Sequence, residues 1–148
     1  MKGRFWKLFV RALIGIVVFF NLDAAFSFMI QPNAYAPGFE LSGVPGQVII
    51  QGMGLLFLMW NVPYTVAILD PAKHFTSLIE AVIMQAIGVF GESILLGLMP
   101  GEHAMIKTSA MRFILFDAGG LILLVIGFFI TLRQRRNTTV GTADIKGD

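Results

Sequence analysis

Four long apolar runs constrain the fold of this chain more than any other feature of its sequence. They cover about residues 5–28, 46–69, 75–98 and 105–132, and each is long enough to cross a hydrocarbon core of roughly 30 Å as a helix. Composition agrees, because 56% of the 148 residues are hydrophobic and 14% are charged, against about 25% charged in soluble domains. The sequence predicts an all-α, polytopic membrane protein, a bundle of four transmembrane helices.

Segments rich in turn-forming residues separate the runs. The connections read "QPNAYAPGFELSGVPG", "DPAKH" and "PGEH", all with proline or glycine. After the fourth run the chain becomes "RQRRNTTVGTADIKGD", which is too polar to bury a core. We therefore predict one transmembrane domain over residues 1–132 and a disordered cytoplasmic tail over residues 133–148.

The first connection is longer than a link between two helices requires. Its Tyr35 and Phe39 alternate with proline and glycine. The segment could anchor the chain at the membrane interface through these rings, or fold over the end of the bundle as a lid. Of the two interpretations, the sequence favours the anchor.

The distribution of basic residues predicts the orientation. One side of the membrane receives most of them: Lys2, Arg4, Lys7, Arg11, Lys73, Arg133, Arg135 and Arg136. The other side has Lys107 and Arg112. Loops rich in lysine and arginine stay in the cytoplasm, so we expect both termini there, in a bacterial inner membrane. The pI of about 9.2 then follows from topology and requires no nucleic-acid partner.

The composition also excludes several kinds of metal and cofactor site. The sequence has no cysteine and two histidines, which excludes iron–sulfur clusters and thiolate zinc sites carried by this chain. His74 and His103 fall in loops on opposite sides of the predicted bundle. Nucleotide-binding glycine loops and the G-x-S-x-G motif are absent. We therefore predict no metal site and no catalytic residue, and the cofactor, if one exists, is unknown.

Small and polar residues recur at helical spacing in the last three runs. The third run places Ala81, Gln85, Gly88, Glu92 and Leu95 on one stripe. The second run has such a stripe at Gln47, Gln51, Gly54, Leu58, Asn61 and Thr65. The fourth run has one at Phe113, Asp117, Gly120, Leu124, Gly127 and Thr131. Polar groups find partners inside a bundle and glycines let helices approach. The stripes should face a shared interior, with helix contacts at Gly54, Gly88, Gly120 and Gly127.

The first run is less regular. Its small and polar residues on roughly one side are Ala12, Gly15, Phe19, Asp23 and Ser27, with Asn21 off that side. At about 1.5 Å per residue, Asp23 falls in the outer half of the membrane. Gln51, Glu92 and Asp117 of the other helices fall at a similar depth.

This coincidence of depth predicts one buried polar cluster that serves as a ligand or proton site. Its members are Asp23, Gln51, Gln85, Glu92, Arg112 and Asp117. Three carboxylates close together in low dielectric cannot all ionise, so a cation or a proton must join them. Arg112 is the nearby cation and should reach Glu92 or Asp23. The alternatives are hydrogen bonds that only fix helix packing for Glu92 and Asp117, and hydration near the outer interface for Asp23.

Two stretches carry a resemblance to a known family. The second run opens with "QVIIQGMGLLFLMW" after a long external loop, and the last contains "FILFDAGGLILL". This layout resembles the small four-helix bacterial membrane proteins of the DoxX-like kind, over most of residues 5–132. Some DoxX proteins are described as subunits of thiosulfate:quinone oxidoreductases. The resemblance implies a helical bundle and a membrane partner that carries a redox centre.

The sequence favours a non-enzymatic membrane component. It would be an accessory subunit or a self-associating bundle, with membrane lipid around it, and its polar cluster would bind a lipophilic molecule such as a lipid or quinone. One alternative is a small proton-coupled transporter in which Glu92 and Asp117 change protonation. A third is an intramembrane enzyme that modifies lipids with paired carboxylates as acid and base.

Overall fold

Helices account for nearly all of the chain in a computed structural model, which describes residues 2–144 and the side chains of residues 4–137. The elements are α1 (Lys2–Ile30), α2 (Pro32–Tyr35), a 3₁₀ turn (Ala36–Phe39), α3 (Gly43–Leu69), α4 (Phe75–Leu98) and α5 (Ala104–Asp144). Four of them, α1, α3, α4 and α5, are long and apolar enough to cross a membrane. The predicted bundle of four transmembrane helices is confirmed.

The four long helices form a closed ring. Helix α1 packs against α3 and α5, and α4 packs against the same two helices from the other side. The fully buried apolar side chains at the centre include Val10, Ile14, Tyr64, Leu78 and Leu124. Between helices in lipid, close packing of such groups supplies the attraction, because the surrounding acyl chains are equally apolar.

Proline explains where two of the long helices end. Helix α1 ends at Ile30, shortly before Pro32, and α3 ends at Leu69, before Asp70 and Pro71. A residue before proline is disfavoured in the helical region, which explains these stops. Helix α4 coincides with the predicted third run at both ends.

An ion pair connects α1 to the loop between α3 and α4. The Lys7 ammonium lies 2.6 Å from Asp70 Oδ2, and the backbone N–H of Lys73 donates to Asp70 Oδ1 at 3.3 Å. The hydrogen bond from Lys7 holds the pKa of the Asp70 carboxyl below its usual range. The pair therefore ties together two segments at the end of the bundle opposite α2.

Helix α5 continues past the predicted end of the fourth span. Residues 133–144 are helical, although the sequence analysis assigned them to a disordered tail; residues 145–148 lie outside the described range. Extending a formed helix requires no new nucleation, and arginine and glutamine are good helix formers. Arg135 also places its guanidinium 4.6 Å from the centre of the Phe75 ring, which holds the extension against α4.

The predicted inward stripes agree best with the observed burial on α5 and α4. Every stripe residue of α5 is buried or half-buried, and so are the first four of α4, whereas Leu95 is exposed. On α3 the buried set is Gly46, Ile50, Gly54, Asn61, Tyr64 and Ala67. Gln51 and Thr65 are exposed instead, so the true face of α3 is rotated from the predicted one.

On α1 the predicted face was wrong. Ala12, Phe19 and Asp23 are exposed, and the buried residues are Val10, Leu13, Ile14, Val17, Ala25 and Phe28. Helix α1 meets its neighbours mainly through apolar side chains, most of them branched or aromatic, rather than through polar ones. A search for polar stripes therefore selects the wrong side of this helix.

Candidate functional site

The buried Gln85 amide links three helices. Its side chain on α4 is 2% exposed. Gln85 Oε1 accepts a hydrogen bond from Tyr64 Oη of α3 at 2.7 Å. Gln85 Nε2 donates to Asp117 Oδ1 of α5 at 2.9 Å and to the Asp117 backbone carbonyl at 3.2 Å. A carbonyl can only accept, so the amide nitrogen must face Asp117 and the amide orientation is fixed.

Trp60 extends this arrangement by one member. Trp60 Nε1, one turn before Tyr64 on α3, donates to Tyr64 Oη at 3.2 Å. We call the residues Trp60, Tyr64, Gln85 and Asp117 the polar chain. Trp60 and Tyr64 were not predicted, because the stripe predicted for this part of the second run passes through Asn61 and Thr65 instead. The available signal was that a buried tyrosine hydroxyl needs a partner, and Tyr64 follows the inward Asn61 by one turn.

Two glycines make room for the polar chain. A Cβ atom at Gly88 would collide with Asp117 Oδ2, and one at Gly120 would lie 2.9 Å from Gln85 Nε2. The backbones of α4 and α5 therefore approach closely where these side chains pass between them. The other two predicted packing glycines also lie at contacts: a Cβ at Gly54 would be 2.7 Å from a carbonyl oxygen of α1, and one at Gly127 would be 3.3 Å from Val10.

Glu92 lies beside the polar chain without joining it. Its Oε2 is buried and has no hydrogen-bond partner in the part of the chain whose side chains are described. The carboxylate is within electrostatic range of Asp117. Glu92 is thus a second, half-buried acidic group on the α4 stripe, with one oxygen available to a proton or a ligand.

A cavity of about 440 Å³ lies between α1, α5 and the first connection. Its aromatic wall consists of Phe28, Tyr35, Phe39, Phe57, Phe113 and Phe116. Its polar groups are Asn21, Asp23, Ser27, Ser109, Arg112 and Asp117. The volume falls within the range of small-molecule sites, roughly 300–1,000 Å³. Asp117 belongs to both the cavity and the polar chain, so a ligand in the cavity would contact the buried network.

Residues 32–41 close one end of this cavity, and we call them the lid. Ser109 Oγ of α5 donates to the Gly38 carbonyl at 2.7 Å, and His103 Nδ1 lies 2.7 Å from Glu40 Oε2. The Phe39 and Phe113 ring centres are 5.9 Å apart. The first connection is therefore folded over the bundle, as in the lid interpretation, and the preferred anchor interpretation was wrong.

The six predicted cluster residues do not form one cluster in the structure. Gln85 and Asp117 are bonded directly, and Glu92 is near them. Asp23 and Arg112 line the cavity that Asp117 also reaches, but both side chains are exposed. The expected ion pair of Arg112 with Glu92 or Asp23 does not form among the described side chains, where the pairs within 4 Å are Lys7–Asp70 and Glu40–His103.

Gln51 is separate from the other predicted members. Its side chain is exposed and its Nε2 donates to the Met29 carbonyl of α1 at 3.2 Å. The neighbouring Ile50 and the nearby Gly54 occupy the buried face of α3. One position along a helix turns a side chain by about 100°, which places Gln51 outside the bundle.

Within residues 4–137 no group of three or more histidine, aspartate or glutamate side chains is arranged to hold a metal ion. Comparisons of the chain with models of protein families, with curated proteins and with solved structures gave no match. The resemblance to DoxX-like proteins therefore stays a prediction, and functional inference rests on the cavity and the polar chain.

Proposed function

We propose that this protein is a non-enzymatic membrane component that binds a lipophilic molecule, a lipid or a quinone, in the cavity between α1, α5 and the lid. The observation that carries the proposal is the cavity of about 440 Å³ with six aromatic side chains on its wall and polar groups beside them. Aromatic rings bury large apolar areas, and a few placed polar groups fix the orientation of a ligand.

The polar chain supports a binding role. Asp117 Oδ1 accepts a hydrogen bond from Gln85, and its Oδ2 lies against Gly88. The carboxylate is thus held in one position where it lines the cavity. A polar group in a fixed position suits recognition of a bound molecule.

We extend the proposal to the setting of the protein. The lysine and arginine pattern supports cytoplasmic termini in a bacterial inner membrane, and the DoxX-like layout supports a role as an accessory subunit of a larger complex or as a self-associating bundle. Purification from its native membrane in mild detergent should recover partner chains or a defined oligomer. A monomer without partners would contradict this part of the proposal.

Filling the cavity tests the binding function. Ala24 lines the cavity from α1, and Ala24→Phe should reduce binding of a short-chain ubiquinone and of a phospholipid by about tenfold or more, measured by native mass spectrometry of the purified protein. Ala12→Phe is the matched control, because Ala12 is exposed on the same helix. Equal binding by the two variants would contradict the proposal.

A second candidate function is proton-coupled transport. The buried Glu92 Oε2 without a partner among the described side chains favours it, since such an oxygen is available to a proton. Glu92→Gln keeps the shape of the side chain but cannot titrate. In proteoliposomes this variant should lose proton-dependent movement of a substrate while remaining folded. Full activity of Glu92→Gln would remove this residue from proton transfer.

A further inference from the structure

Two residues of opposite charge line the cavity without forming an ion pair with each other. Asp23 of α1 and Arg112 of α5 both line it, and both side chains are exposed. They form no ion pair with each other or with any other described side chain, since the pairs within 4 Å involve other residues. Each charge is therefore available to a ligand.

The two charges also lie at a similar depth. Asp23 precedes the end of α1 at Ile30, and Arg112 follows the start of α5 at Ala104, in each case by about 10–12 Å at 1.5 Å per residue. A helix as long as α1, with 29 residues, extends roughly 7 Å beyond each side of a hydrocarbon core about 30 Å thick when it is centred on that core. Asp23 then lies about 4 Å below the boundary between head groups and acyl chains. An exposed arginine and aspartate so close to that boundary are placed to meet lipid head groups.

A second apolar surface adjoins Asp23. A shallow groove of about 370 Å³ runs along the outer side of α1. Its apolar side chains are Phe19, Leu22, Phe26 and Ile30, and it shares Asp23 and Ser27 with the cavity. Asp23 and Ser27 thus lie between the aromatic cavity and the apolar groove on the outer side of α1.

We propose that the cavity and the outer groove together bind one zwitterionic phospholipid. Its phosphate contacts Arg112, its ammonium contacts Asp23, one acyl chain enters the aromatic cavity and the other lies along the outer groove. The inference rests on the proposed lipophilic-ligand function and names the ligand class. Guanidinium groups bind phosphate in a fork geometry, and an ammonium is attracted by a carboxylate and by aromatic faces.

Other amphiphiles match these charges less well. An anionic phospholipid would contact Arg112 but meet repulsion from Asp23 and Asp117, which line the same cavity. A quinone carries two carbonyl acceptors and no cation, so Asp23 would have no partner in its complex. A two-chain lipid also fills both compartments, whereas a single-chain ligand fills one.

Competition between two lipids with identical acyl chains tests the inference. Purified protein is exchanged into nanodiscs containing equal amounts of phosphatidylethanolamine and phosphatidylglycerol, and the retained lipid is counted by native mass spectrometry. The unaltered protein should retain phosphatidylethanolamine over phosphatidylglycerol by about tenfold. Asp23→Asn should remove most of this preference and raise retention of phosphatidylglycerol, because Asp23 contacts the ammonium that only phosphatidylethanolamine carries. Arg112→Gln should lower retention of both lipids, because both carry the phosphate.

Matched controls separate a specific site from general surface charge. Glu102→Gln and Lys107→Gln change exposed or half-exposed charges near the same end of the bundle, outside the cavity, and should leave the preference unchanged. Thermal unfolding of Asp23→Asn and Arg112→Gln should match that of the unaltered protein, because both side chains are exposed. Equal retention of the two lipids, or an unchanged preference in Asp23→Asn, would overturn the inference.

The Ala24→Phe variant distinguishes failure of this inference from failure of the proposed function. If both lipids are retained equally and Ala24→Phe releases them, the cavity binds lipophilic molecules but the zwitterion preference is refuted. If Ala24→Phe retains every probe as the unaltered protein does, both proposals are refuted.

Discussion

Replacing Gly88 by alanine tests whether the close contact of α4 and α5 exists to hold the Gln85–Asp117 pair. The added methyl group would occupy the position of Asp117 Oδ2 and push this carboxylate away from Gln85. Two hydrogen bonds from Gln85 Nε2 are then lost or lengthened. At about 0.6 kcal/mol for a hydrogen bond between helices in a membrane, plus about 1–3 kcal/mol for overpacking, the free energy of unfolding should fall by roughly 2–4 kcal/mol.

Gly91 provides a matched control on the same helix. A Cβ at this position has no atom within 4 Å among its described surroundings. Alanine is a better helix former than glycine by up to about 1 kcal/mol, so Gly91→Ala should leave the free energy of unfolding unchanged or raise it. Both variants are measured by tryptophan fluorescence during titration of mild-detergent micelles with a denaturing detergent.

A double substitution makes the reasoning refutable. Asp117→Ala removes the carboxylate that the new methyl group would displace. In that background Gly88→Ala should cost little further stability, because the two changes act on one contact and are not additive. The reasoning is refuted if Gly88→Ala and Gly91→Ala have the same free energy of unfolding. It is also refuted if Gly88→Ala lowers the free energy of unfolding as much in the Asp117→Ala background as in the unaltered protein.

Three further predictions concern the polar chain, an ion pair and the orientation. Gln85→Leu leaves a buried hydroxyl and a carboxylate without their partner and should lower the free energy of unfolding by about 1–3 kcal/mol, measured in the same titration. The lowered pKa of Asp70 stabilises the fold above the ordinary pKa of aspartate, and this stabilisation, up to about 1 kcal/mol, should be lost as the pH falls through the folded-state pKa; Lys7→Met should reduce that pH dependence in thermal melts, because Lys7 is the main cause of the lowered pKa. The chain has no native cysteine, so a single cysteine at Glu102 should react with an impermeant reagent outside intact cells and one at Thr139 should not, whereas the reverse would invert the orientation.

The sequence predicted the membrane helices well because the bilayer imposes simple rules. A span must be long, apolar and helical, and these demands appear in the sequence as four runs with breakers between them. The α5 stripe through Asp117 and Gly120 was predictable for a related reason. Polar groups and glycines in a span have few stable positions other than a helix contact.

The candidate site was only partly predictable. The pairing of Gln85 with Asp117 follows from stripes and depth, but the helix rotation that buries Tyr64 and exposes Gln51 depends on how α3 meets α1. The cavity depends on the lid, whose contacts Ser109–Gly38 and Glu40–His103 join residues more than sixty positions apart. Helical periodicity carries no information about such contacts.

The close contact between α4 and α5 has a consequence for how this protein can evolve. Gln85 and Asp117 meet only where Gly88 and Gly120 leave space. Substitutions at these four positions are therefore coupled. A change of Gly88 to a larger residue becomes tolerable after Asp117 has been replaced by a shorter side chain, and the reverse order passes through a destabilised intermediate. Descendants of an ancestral gene should therefore change at these positions together, and the polar pair should be inherited with its glycines or lost with them.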